Sequence, residues 1–104
     1  MVYRLSEHVA FRADKPASEL IAEYEGTRVA VFSMEPGQVV PAHTSPATVF
    51  MLAYSGRGVL RSGEESSEAK PGDLVIVPPN VPHGMAAGDE QFVVLAFIQF
   101  PKEG

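Results

Sequence analysis

Two histidines carry most of the chemistry this chain can offer. His43 lies in the stretch Gly37-Gln38-Val39-Val40-Pro41-Ala42-His43-Thr44-Ser45, and His83 closes Pro71-Gly72-Asp73-Leu74-Val75-Ile76-Val77-Pro78-Pro79-Asn80-Val81-Pro82-His83. An imidazole can ligate a transition metal, exchange hydrogen bonds, or move a proton near physiological pH. The rest of the inventory is narrow. The chain has no cysteine, hence no disulfide, thiol nucleophile or thiolate metal site. Ser45 near His43 makes a hydroxyl–imidazole pair, but no acidic residue is placed to orient the ring, so a serine hydrolase is not expected.

Both stretches read as strands with their turns. Pro36-Gly37 opens the first, the glycine supplying the backbone freedom of a tight reversal. Alternation then predicts His43 and Ser45 on one face, and Val49, Met51 and Ala53 on one face of the next strand. In the second stretch Pro78, Pro79 and Pro82 surround Asn80, a residue type that tolerates left-handed backbone. Those prolines either end a strand or hold His83 at a set angle.

In this order the two stretches resemble the two motifs of the cupin superfamily, and the resemblance covers roughly Arg28 to Phe100. In the cupin pattern the positions of His43, Ser45 and Val49 carry His, His and Glu, followed by the glycine found here as Gly56. The second pattern is matched by Gly72, Pro78 and His83, with Asn80 where Gly is usual and Ala87 where Asn is usual. The resemblance implies a small all-β double-stranded β-helix, a jelly-roll barrel closing around a pocket. In such barrels three His and one Glu hold a divalent metal. Here only His43 and His83 remain as metal ligands, and Val49 removes the one anionic ligand. The other donors at hand are poor: the Ser45 and Tyr54 hydroxyls, the Gln38 and Gln99 amides, the Met51 and Met85 thioethers. One divalent metal (Zn, Fe, Ni or Mn) is the cofactor such a reduced site would take. Weak binding or none is the expectation.

The elements that must position these residues are short. Turn signals recur at Glu25-Gly26, Pro36-Gly37, Ser55-Gly56, Ser62-Gly63, Pro71-Gly72, Pro78-Pro79-Asn80 and Gly88-Asp89, as in an all-β domain. Between them lie strand segments at 28–34, 38–43, 48–54, 58–61, 73–77 and 91–100, with weaker candidates at 66–69 and 83–87. Segment 16–23 suits a short helical turn or an edge strand. Arg61 to Glu68 is the most polar stretch and reads as an exposed hairpin, its glutamates a solvated charge run. His8 precedes both motifs and reads as an ordinary strand or surface residue.

The 104 residues, 45% apolar and 20% charged, suit one globular domain. We expect an N-terminal strand or arm over 1–25 and a barrel core over about 28–100. A net charge of −5 with scattered Lys and Arg argues against nucleic-acid and anionic-membrane partners. The first residues are polar and lack the apolar core of a signal peptide, and the longest apolar run, Phe92 to Ile98, is too short to span a bilayer. A cytoplasmic protein is the expectation. That same run is apolar on both faces, which predicts burial on both sides and a twofold homodimer to cover the excess.

Three functions fit these residues. The leading one is a stand-alone barrel binding a small, largely apolar molecule, with His43 and His83 as polar fixtures and Ser45, Val49, Met51, Tyr54 and Met85 around the ligand. The second is a metal-dependent dioxygenase or isomerase with a reduced two-His site. The third is a barrel without a site, acting in oligomerisation or protein interaction.

Overall fold

Alternating segments cut by turn residues fold here into strands, in a computed structural model that describes residues 1–102. The strands are β1 (Ala17–Tyr24), β2 (Thr27–Met34), β3 (Val39–His43), β4 (Thr48–Ser55), β5 (Gly58–Ser62), β6 (Glu65–Ala69), β7 (Leu74–Val77), β8 (His83–Ala87) and β9 (Phe92–Gln99). A 3-10 turn at Leu5–His8 precedes them. One sheet has the order β1-β2-β9-β4-β7 and the other β3-β8-β5-β6, and the pairings are antiparallel. This is the expected all-β jelly roll. The segment open between a helical turn and a strand is the edge strand β1, and the polar hairpin is β5–β6, turning at Gly63.

Alternation decides what the sheets enclose. Val49, Met51 and Ala53 of β4 point inward and meet Met34, Leu60, Val77, Met85, Phe92 and Val94. Each large apolar side chain removed from water here stabilises the fold by about 1.5–3 kcal/mol.

The run Phe92 to Ile98 becomes β9, central in its sheet between β2 and β4. Its inner side joins the core, and its outer side carries Val93 and Leu95, 1% and 6% exposed. The chain's own N-terminal arm supplies cover there, packing Leu5, Val9 and Phe11 against Val31, Val93 and Leu95. Polar ties fasten the arm: Ala10 N–H to Ser33 Oγ (3.4 Å), Gln38 Nε2 to the Arg12 carbonyl (2.7 Å), and His8 with Glu19 (2.8 Å). His8 is thus part of a fastening. The arm leaves Leu74 and Ile76 of β7 half exposed, opposite Leu52 and Phe50 of β4. Among the described residues no helix is long and apolar enough to cross a membrane.

Candidate functional site

His43 reaches the barrel interior through an irregularity in β3. Val40 pairs with Met85 and His43 with His83, so β3 spends one more residue than β8 over the same span. Strict alternation from Val40, which packs against the core, would turn Ala42 inward and His43 outward. The bulge reverses this and re-aims the imidazole. Pro41, with no N–H to give to a ladder, sits in the bulge, where a strand tolerates proline. On β8 the facing residue is Gly84; a Cβ there would lie 2.9 Å from the Val40 carbonyl oxygen and 3.1 Å from the Ala42 nitrogen. Proline and glycine together permit the turn of the histidine.

The two rings then stand 4.3 Å apart between centroids, tilted by 56°. His83 is 6% exposed, whereas His43 lies exposed at the mouth. Each ring holds the backbone two residues before it: His43 Nδ1 to the Pro41 carbonyl at 3.1 Å, His83 Nδ1 to the Val81 carbonyl at 3.4 Å. A carbonyl only accepts, so Nδ1 is the donor in both rings and the neutral tautomer carries its lone pair on Nε2. The site is a pair of imidazoles that offer Nε2 as acceptors.

They open on a cavity of about 210 Å3. β2 supplies Phe32, β4 supplies Val49 and Met51, β8 supplies Met85, and β9 supplies Ala96 and Ile98, with Phe100 just beyond it. Ser45, in the β3–β4 connection, completes the polar end; its Oγ accepts from the Ala47 N–H at 3.0 Å, which leaves the hydroxyl proton free to be donated. The structure therefore brings His43, Ser45, Val49, Met51, His83 and Met85 to one cavity. Tyr54 is not among them. It falls on the opposite parity of β4 from Val49, Met51 and Ala53 and is 39% exposed. Gln38 is engaged with Glu35 N–H and the Arg12 carbonyl, and Gln99 lies exposed at the end of β9.

The loop before His83 is held by backbone contacts. β7 stops at Val77, and Asn80 takes the left-handed conformation (φ 64°). Its N–H donates to the Ser45 carbonyl at 2.8 Å, and the Gly63 N–H donates to the Pro82 carbonyl at 2.7 Å. The loop thus joins the cavity's serine to its buried histidine.

The donors do not fit a resident divalent cation. Among the described residues no group of three or more His, Cys, Asp or Glu could hold a metal ion. The cavity lining offers Val49 and the Met51 and Met85 thioethers and no anionic ligand, so nothing offsets the desolvation of a dication.

Burial pushes the His83 pKa below its ordinary value of 6.5, with the nearby His43 acting the same way and the Val81 carbonyl opposing both. The unfolded chain therefore takes up this proton at a higher pH than the folded protein. Stability is full above about pH 6.5 and falls as the pH drops below it. Melting temperatures at pH 7.5 and 5.5 should show a smaller acid loss in His83→Gln than in the parent. Equal losses would exclude His83 as the source.

A second, larger cleft of about 520 Å3 lies beside Arg57, Glu68, Lys70, Asp73, Asp89 and Glu90 and shares no lining residue with the histidine cavity. Its charges are mixed, with Lys70 3.8 Å from Asp73.

Solved structures repeat this architecture. A Thermus thermophilus protein superposes with a TM-score of 0.88 at 21% identity, covering 96% of this chain and 98% of its own. An RmlC-like cupin protein from Desulfovibrio desulfuricans gives 0.84 at 25% identity, with 95% of each chain covered. A DMSP lyase from Ruegeria pomeroyi gives 0.76 at 24% identity, with 88% of this chain and 50% of the lyase covered. A search of curated proteins finds no match to the chain. The sequence profile of the Cupin domain matches residues 30–98, which include both histidine strands and the apolar wall facing them. With jelly roll, paired motif histidines and profile in agreement, the chain belongs to the cupin family.

Proposed function

We propose that this cupin binds a small, largely apolar molecule in its barrel, with His43 and His83 as the polar fixtures. The carrying observation is the cavity: seven of its ten lining residues are apolar, and its polar ones are the adjacent His43 and His83 with Ser45. That is the composition of a small-molecule site, an apolar enclosure with few placed polar groups. Its size suits a single ring, since a dry apolar cavity of about 150 Å3 already admits benzene. The reduced metal set weakens the alternative of a metal-dependent dioxygenase or isomerase, and the enclosed space weakens that of a barrel without a site.

Toluene, which has the apolar body and no polar head, is the direct probe. Titrated into the 15N-labelled protein, it should move amide resonances around Phe32, Met51, Met85 and Ile98. Shifts confined to the Leu74 and Ile76 face, or no shifts near saturation, would overturn the reading.

A further inference from the structure

The polar end of the cavity constrains the head group of the ligand more tightly than the apolar walls constrain its body. Whatever displaces water from the cavity must satisfy the Nε2 of His83, which is 6% exposed and whose ring has its other nitrogen committed to the Val81 carbonyl. An acceptor left unpaired on binding costs its full desolvation. The ligand must therefore donate a hydrogen bond, which excludes an ether or a ketone as the head. It must also tolerate the Ser45 hydroxyl, whose oxygen already accepts from Ala47 and whose proton is free. The head that answers both donates once and accepts once.

Charge narrows the class further. No Lys or Arg lines the cavity. The Arg28 guanidinium lies over the Phe100 ring at 4.9 Å and is held by Glu23 at 2.9 Å. A carboxylate head would meet two Nε2 lone pairs without a countercharge, and an ammonium head would find no anion in the lining. The head is neutral. The neutral His83 ring gives its hydrogen to the Val81 carbonyl from Nδ1, so its Nε2 is an acceptor. His43 at the open mouth can meet its own need with water. For the body, the lining combines the Phe32 and Phe100 rings with the Met51 and Met85 thioethers, and thioethers pack well against aromatic rings.

Resting on the apolar-ligand reading above, we propose that the ligand is a neutral single-ring phenol, whose hydroxyl donates to His83 Nε2 and accepts from Ser45. The ring fills the space among Phe32, Met51, Met85 and Phe100. The histidine pair is then a hydroxyl receptor instead of a reduced metal centre.

The test compares toluene, anisole, phenol and benzoate by the same amide titration at pH 7.5. In a cavity without a matched polar end, toluene outcompetes phenol, because burying an unpaired hydroxyl is unfavourable. Here the order reverses: phenol binds about ten-fold more tightly than toluene or anisole, as two neutral hydrogen bonds allow, and benzoate binds weakest. The Ser45→Ala variant should lower the ratio of phenol to toluene affinity roughly three- to ten-fold. Toluene or anisole equal to phenol, or benzoate as tight as phenol, would overturn the phenol assignment while leaving the apolar site standing. Failure of all four to bind would remove the apolar site, and the phenol with it.

Discussion

Zinc or nickel titrated into a Ser45→His, Val49→Glu double variant should bind at least about a thousand-fold more tightly than it binds the parent. Both positions line the cavity that His43 and His83 enter, so two new donors, one of them anionic, would join the pair. Structural zinc sites gain roughly 10–16 kcal/mol from four ligands, or about 2.5–4 kcal/mol per ligand, which places two ligands well above a thousand-fold. The parent rings are already suited to the role, because each Nδ1 is held by a carbonyl and Nε2 is left to coordinate. Calorimetric titration checks the result. Equal affinities in parent and variant would mean that the two positions do not converge on the histidines.

The second large effect lies outside the site. Gly56→Ala should destabilise the fold by about 4 kcal/mol or more, a loss reserved for a few mechanisms. Gly56 has φ 74°, and a Cβ on it would overlap the carbonyl oxygen of Gln91. Backbone cannot step aside as a side-chain tip can. Gly72→Ala is the control: φ there is 97°, yet nothing lies within 4 Å of the added Cβ, so only the conformational cost of about 1–2 kcal/mol applies. Urea denaturation of both variants separates the two causes. Equal losses would mean that the approach of Gln91 is not what requires glycine at 56.

Much of the barrel is readable from residue types, because turns and alternation are local. Pro36-Gly37, Gly56, Gly63 and Asn80 each mark a reversal that the structure contains, four of them at positive φ. The site is readable only where the cupin motifs point. Phe32, Ala96, Ile98 and Phe100 line the far wall, but they belong to β2, β9 and the residue after it, which lie outside both motifs. Tyr54 illustrates the opposite error: its hydroxyl suggests a ligand contact, while the alternation that places Val49 and Met51 inward already turns it away. The inward aim of His43 depends on a bulge, and a break in period two is invisible to reasoning that assumes period two. Only Pro41 hints at it. The cover over β9 is non-local in the same way. An apolar strand face calls for a partner, but its composition cannot say whether Leu5, Val9 and Phe11 or a second subunit will answer.

The place of β9 in the sheet also sets a timetable. It follows the other eight strands in sequence, yet it lies between β2 and β4, pairing along its whole length with β2 and from Val93 to Gln99 with β4. Until it is made, β2 and β4 have no common neighbour, and the inner wall of Val94, Ala96 and Ile98 is missing. A nascent chain on the ribosome therefore cannot close this sheet early. Even with β2 paired to β1 and β4 to β7, it must carry the facing edges of β2 and β4 open until β9 emerges, and such long-range closure is slow. For a protein with this topology, demand for chaperones would be highest in the interval before β9 clears the exit tunnel.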